Sequence, residues 1–181
     1  MNKPVSPKIV ALRVILYIEG KGVLLVQRAK EEYAASTWEL PGGKIDDDSM
    51  SLTEAAQREF YEETGIHILV SSDAAYYWDM RSNHPDYHGI RYVCLIVNGY
   101  LQYPGAYGVV LSKEHQADAW VEPTPSGVDE FQNQHGPLMQ ETIDAISHYY
   151  SRYILTARSL ELRDQRIRDL EQKNRMLMER E

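Results

Sequence analysis

The sequence predicts an α+β fold: a mixed β-sheet with helices packed on it and a long helix at the C-terminus. Three observations carry this reading. β-branched and aliphatic runs recur between turn signals through residue 122, one well-capped helix interrupts them, and no Pro or Gly occurs from Leu138 to Glu181. The runs do not alternate regularly with helices, so a repeating βαβ series is not expected. With 181 residues, 43% of them apolar, the chain suffices for one domain with a core plus an appendage.

Taken in order, residues 9–18 are β-branched and aliphatic and read as a strand. Glu19 to Gly22 is a turn, and Val23 to Gln27 is a second strand, completing a hairpin. Pro41-Gly42-Gly43 is a strong break. Ser51 stands three residues before Glu54, the spacing of a capping box. The helix it opens should run to about Thr64 and stop at Gly65, the favoured residue just past a helix end. Strand-like runs return at Ala74 to Met80, Ile90 to Leu101 and Ala117 to Val121. Residues 82–89 read as a hairpin loop, and Pro123, Pro125 and Gly127 as another loop. The Pro- and Gly-free end reads as one long helix, or two with a break near Ser159.

Composition removes several classes of function. Cys94 is the only cysteine, which excludes an intramolecular disulfide and a cysteine zinc cluster. The first seven residues lack the basic-then-apolar pattern of a signal peptide, and no apolar run is long enough to span a bilayer. No membrane association is expected, and a cytoplasmic location follows from these absences. The net charge of −8 disfavours binding of long nucleic acids. A small anionic substrate remains compatible if a metal ion bridges it to the protein.

The chemistry points to the capped helix. At about 100° per residue, Glu59, Glu62 and Glu63 fall within roughly 100° of one another. Leu52, Ala55 and Ala56 point to much the same side, so the carboxylates share a face with residues expected to touch the core. Three neighbouring carboxylates repel. A hard divalent cation among them removes the repulsion, and an all-oxygen ligand set suits Mg²⁺ or Mn²⁺. An acidic helix alone is more often a solvated face. Gly42 and Gly43, just ahead of the loop leading to this helix, shift the balance, because glycine lets backbone amides and carbonyls approach a ligand.

Together these residues resemble the Nudix hydrolase family. Its signature is Gly, five residues, Glu, seven residues, then Arg-Glu-apolar-any-Glu-Glu-any-Gly-apolar. Residues 58–66, Arg58 to Ile66, fit the second half at every defined position, and residues 40–44 fit the usual lead-in, with Trp38 placed as in many members. The match covers residues 43–66; weaker resemblance extends over about residues 9–150. The resemblance implies an α/β/α sandwich and hydrolysis of a diphosphate bond. It implies that Glu59, Glu62, Glu63 and the Gly42 carbonyl bind metal, that Arg58 holds the carboxylates, and that Glu62 and Glu63 take part in catalysis. Arg28, Gly43 and Lys44 are the implied substrate-binding residues. Glu114, at a family-like distance before Trp120, is an extra metal ligand or general base by the same resemblance, against a plain loop role. One departure stands out: the chain has one residue more between Gly43 and Arg58 than the family. The family's first Glu therefore falls at Met50 counted from Arg58, or at Ser49 counted from Gly43, with Asp46, Asp47 and Asp48 in the lengthened loop.

Other features carry less. Tyr33, Tyr76, Tyr77, Trp78, Tyr87 and Tyr92 offer flat surfaces for a base, though packing roles are the default. Cys94 in an apolar strand reads as a buried, inert thiol. Residues 1–157 are expected to form the hydrolase domain and residues 158–181 a helical extension. In the extension Leu160, Ile167 and Asn174 lie seven apart, with Leu170 and Leu177 on a second seam: a short coiled-coil pattern and a basis for a homodimer. The implied substrate is a small nucleotide-like molecule: a nucleoside triphosphate, a nucleotide sugar or a dinucleoside polyphosphate. The alternative reading is a non-catalytic nucleotide sensor signalling through its C-terminal helix. An isomerase on the same fold is disfavoured by the lack of a suitable reactive residue.

Overall fold

The first aliphatic run becomes strand β1 (Lys8–Ile18), which turns back into β2 (Gly22–Arg28) with Tyr17 opposite Val23 and Ile18 opposite Gly22. The computed structural model describes residues 8–32, 34–45, 50–79, 92–105 and 107–178. They fall into two units, residues 1–147 and 148–181.

In the first unit β3 (Trp38–Glu39), α1 (Leu52–Thr64), β4 (Ile68–Asp79), β5 (Tyr92–Leu101) and β6 (His115–Val121) follow. The sheet runs β3-β2-β1-β5-β4, with β6 on β2. It is mixed: β1 lies parallel to β5, while the β1–β2, β2–β3, β2–β6 and β4–β5 pairs are antiparallel. The expected strands are present, and β4 begins earlier than its apolar run. The expected hairpin loop at 82–89 lies outside the described residues.

β1 pairs with only the start of β2, and the Pro41–Gly43 segment takes the edge beyond. Val14 N–H donates to the Pro41 carbonyl and Leu12 N–H to the Gly43 carbonyl, both at 2.9 Å. Gly42 has φ +142°, and a Cβ there would stand 2.3 Å from the Leu12 carbonyl oxygen. Only glycine permits that approach. β3 is held from the far side: Trp38 N–H donates to the Pro137 carbonyl at 2.9 Å, Met139 N–H to the Trp38 carbonyl at 2.8 Å, and Trp38 Nε1 to the His135 carbonyl at 2.9 Å.

Helix α1 begins and ends as its sequence dictates. Ser51 Oγ accepts from Glu54 N–H at 3.2 Å, Glu54 Oε2 accepts from Ser51 N–H at 3.0 Å, and Gly65 sits at φ 68° with its N–H on the Tyr61 carbonyl. Ala55, Ala56 and Phe60 pack against Leu12, Val14, Leu16, Leu24, Leu95 and Val97. Leu52, expected on this face, is 39% exposed. It lies in the first turn, and Phe60 and Ile66 fill the core in its place.

The Pro123–Gly127 stretch corrects the loop reading: it opens helix α2 (Pro125–His135). Thr124 is the N-cap, accepting from Gly127 N–H at 3.1 Å, and Pro125 stands in the first turn, where its missing N–H is no loss. Helix α3 (Gln140–Tyr149) follows. In the second unit a π-helical turn, Tyr150–Ile154, precedes α4 (Leu155–Met178), a helix of 24 residues. Ser159 lies inside α4, so the irregularity falls earlier than the expected break. Among the described residues no helix is long and apolar enough to cross a membrane.

Loss of the α1 cap is a direct test of where this helix starts. Ser51→Ala should cost about 1 kcal/mol in a denaturant titration. An unchanged midpoint would mean that the capping box contributes nothing.

Candidate active site

α1 meets the Pro41–Gly43 loop along its carboxylate face. Glu63, 9% exposed, turns inward and accepts from Gly42 N–H at 2.7 Å through Oε2. Glu59 lies against Gly43, where an added Cβ would stand 1.9 Å from Glu59 Oε2. Gly43 thus leaves the room that Glu59 occupies. Arg58 Nη2 is 2.5 Å from Glu59 Oε1, and Arg58 Nε is 3.9 Å from Glu62 Oε1. The Glu62 side chain is 58% exposed.

Beside these groups Glu39 gathers a second cluster of charges. Glu39 is buried at 2% exposure, with Arg28 Nε 2.8 Å from its Oε1 and Arg13 Nη2 3.1 Å from its Oε2. His115 Nε2 lies 3.6 Å from Glu39 Oε1 and 4.0 Å from Glu63 Oε1. Arg13 Nη1 donates to the Gly42 carbonyl. Burial alone would raise the Glu39 carboxyl, but the His115 hydrogen bond and the Arg13 and Arg28 charges outweigh it and hold the group below its usual range. Burial raises Glu63 to about 7 despite His115, Arg13 and the Gly42 amide. Burial also raises Glu141 at the start of α3, and the buried Cys94 thiol is pushed up to about 11.

The structure thus brings Arg58, Glu59, Glu63, Gly42 and Gly43 together, with Glu62 at the rim. Arg28 joins them through Glu39. Lys44 is exposed and bridges to Ala11 beside the loop. Glu114 is exposed; its carbonyl accepts from Ala29 N–H at 2.8 Å, and its neighbour His115 is the residue that faces the carboxylates. The Glu114 loop is tied to the end of α1, through Val110 N–H to the Thr64 carbonyl at 2.8 Å and Ser112 N–H to the Glu63 carbonyl at 3.2 Å. Asp46, Asp47, Asp48 and Ser49 of the lengthened loop lie outside the described residues, as do Tyr33 and Tyr87; Met50 is half-buried just before the cap.

The donor set is all oxygen and suits a hard divalent cation. Among the described residues no three acidic or imidazole groups converge closely enough to hold one. Glu59 is drawn to Arg58, Glu62 extends outward, and Glu63 is engaged by the Gly42 amide. The chemistry and the shared face fit; the carboxylates stand apart.

A family model described as the NUDIX domain matches residues 7–141. The chain belongs to the Nudix family. A CTP pyrophosphohydrolase from Escherichia coli (strain K12) is 33% identical over 109 residues, 60% of this chain and 72% of that protein. A MutT protein from Methanosarcina mazei Go1 has a TM-score of 0.60 at 24% identity, over 80% of this chain and 95% of that one. An ADP-ribose pyrophosphatase from Streptococcus suis has a TM-score of 0.55 at 21% identity, over 81% and 93%. These two structural likenesses show the Nudix fold. The expectation of a Nudix hydrolase with a mixed sheet and a long C-terminal helix therefore holds.

Three residues that the structure places beside these carboxylates escaped the sequence reading: Arg13, Glu39 and His115. Arg13 had a signal, a lone charge inside an aliphatic strand. Glu39 had one too, an acid between Trp38 and Leu40 immediately before the glycine break. His115 had no such signal, being one polar residue among others in the Lys113–Gln116 stretch.

Glu63 makes the stability of the cation-free protein pH-dependent. Its native pKa of about 7 exceeds the ordinary value of 4.5, so between the two the folded state holds a proton the unfolded chain has released. The contribution is complete below about pH 4.5 and is lost as the pH rises to about 7, by on the order of 3 kcal/mol. In EDTA, wild type should therefore lose stability relative to Glu63→Gln across that window. Parallel pH profiles for the two proteins would refute this.

Proposed function

We propose that this Nudix hydrolase is a pyrophosphohydrolase that cleaves the diphosphate bond of a nucleoside diphosphate-linked small molecule. The observation that carries this reading is the carboxylate face of α1 seated on the Pro41–Gly43 loop. Candidate substrates are nucleoside triphosphates, nucleotide sugars and dinucleoside polyphosphates. The likeness to a CTP pyrophosphohydrolase supports a nucleoside triphosphate as the first to test.

In this reading Glu59, Glu62 and Glu63, with the Gly42 carbonyl, hold Mg²⁺ or Mn²⁺. The cation when bound supplies polarisation of a phosphoryl oxygen and a lowered pKa for water. The protein's own groups do the rest. Arg58 restrains Glu59 and Glu62 so that their charges stay on one side of the helix. Arg28, at the end of β2, and the exposed Lys44 attract the phosphates, while the Gly43 backbone gives them close approach. Glu114, on a loop anchored to the end of α1, accepts the proton of the attacking water. No covalent intermediate is required.

Hydrolysis of a nucleotide panel, with products identified by mass spectrometry, tests the reaction. Activity should require Mg²⁺ or Mn²⁺ and vanish in EDTA, and Glu62→Gln and Glu63→Gln should each lower kcat at least about tenfold. A nucleotide sensor would instead bind members of the panel and leave all of them intact. Full activity in both variants would remove these residues from the mechanism.

We further propose that α4 pairs with a second copy of the chain. Leu160 and Ile167, seven residues apart, are 48% and 47% exposed. In the heptad register of the sequence Arg166 would meet Glu171 of a parallel partner, and Asn174 falls at a position that specifies two strands. Deleting residues 158–181 should halve the mass seen by light scattering while hydrolysis continues, since every proposed ligand precedes residue 115. Equal masses for the two proteins would rule the pairing out.

A further inference from the structure

The hydrolytic reading gives no task to Glu39 or to its partners Arg13 and His115. Glu39 touches no expected metal ligand directly; it pairs with Arg28, an expected phosphate-binding group, and is buried at 2% exposure among Arg13, Arg28 and His115. Two of those partners reach onward. Arg13 Nη1 donates to the Gly42 carbonyl, and His115 Nε2 stands 4.0 Å from Glu63 Oε1. Gly42 N–H and Glu63 Oε2 meet at 2.7 Å. The contacts therefore close a ring: Glu39, Arg13, Gly42, Glu63, His115 and back to Glu39. Its members come from β1, from β3 with its following loop, from α1 and from β6.

We propose that Glu39 is a positioning residue that fixes Gly42 against Glu63, acting through Arg13 on one side and His115 on the other. A buried ion cluster is a weak source of stability, because desolvation offsets much of its attraction. Its distinctive product is geometry. Arg13 is planar and offers several N–H groups in a fixed fork, so one guanidinium spans the Glu39 carboxylate and the Gly42 carbonyl at once. His115 Nδ1 lies 3.3 Å from Ser112 Oγ, which sets the ring's orientation while Nε2 faces the two carboxylates. The loop is thereby held from its carbonyl side by Arg13 and from its amide side by Glu63. Removing the Glu39 charge releases Arg13 and His115 together and lets the loop lift from α1.

The consequence for rate rests on the proposed hydrolysis; the consequence for the loop does not. Glu39→Gln preserves shape and removes the charge. In ¹⁵N-resolved hydrogen exchange, its Gly42 amide should exchange at least about tenfold faster than in wild type, while the sheet amides of Leu24 and Leu25 stay within about twofold. On the substrate found in the panel, kcat should fall at least about tenfold, whereas a change confined to KM would report only the freed Arg28 and would overturn the effect on rate. A second pair of variants guards against misfolding. His115→Gln keeps an N–H donor facing the carboxylates and should retain Gly42 protection, whereas His115→Ala should lose it. Should Glu39→Gln not fold, this pair decides. Unchanged Gly42 exchange in folded Glu39→Gln, or equal acceleration at every amide, would overturn the proposal; the second result would make Glu39 a stabilising residue only. If wild type hydrolyses nothing while Gly42 still responds to Glu39→Gln, the hydrolytic reading fails and the positioning role stands.

Discussion

The site depends on how near the backbone of Gly42 comes to β1. With a Cβ at that position 2.3 Å from the Leu12 carbonyl oxygen, no side chain fits, and the loop lies flat along the strand. That single approach settles the direction of every group nearby. The Gly42 amide meets Glu63, its carbonyl meets Arg13, and Gly43 leaves room for Glu59. A loop raised by one side chain would separate α1 from the strand that supports it. The glycines serve as the bearing surface between helix and sheet.

Charge is distributed around that surface in two layers. The outer layer, Glu59 and Glu62 with Arg58, is partly solvated, and its pairing is screened by water. The inner layer, Glu39 with Arg13, Arg28 and His115, is shielded from solvent, so its geometry is less easily relaxed. Glu63 belongs to both. Its carboxyl carries an elevated pKa because it is buried, despite the hydrogen bond from the Gly42 amide, and an anion there gains from a nearby cation. This gives physical content to a carboxylate face on a helix that also packs on the core.

Much of this was legible from local patterns. Ser51, Glu54 and Gly65 mark the ends of α1 because capping is decided by a few adjacent residues. The β1–β2 hairpin was legible because aliphatic runs flank a glycine turn. The start of α2 was misread because Pro and Gly mark a helix's first turn as readily as a loop, and only the Thr124 hydrogen bond separates the two. The inner charge layer was not legible as one site, for a different reason. Arg13, Glu39 and His115 are dispersed along the chain, and nothing local in a sequence says that three isolated polar residues share one buried site. Leu52 shows the reverse limit: the helical wheel gave its direction, but not whether anything covers the first turn.

The anchoring of β3 has a bearing on how the protein is made. Trp38 hydrogen-bonds to a carbonyl 97 residues later, and Leu40 N–H to the Thr142 hydroxyl 102 residues later. Contacts so distant along the chain form only after most loop-closure entropy has been lost. A ribosome that has released only the first hundred residues has already exposed the complete signature, including α1 and its carboxylates. It has not yet supplied the segment that clamps the strand leading into the glycine loop. Newly synthesised protein would thus carry the signature carboxylates well before it has the shape, and competence would arrive with the residues around α3 rather than with the signature itself.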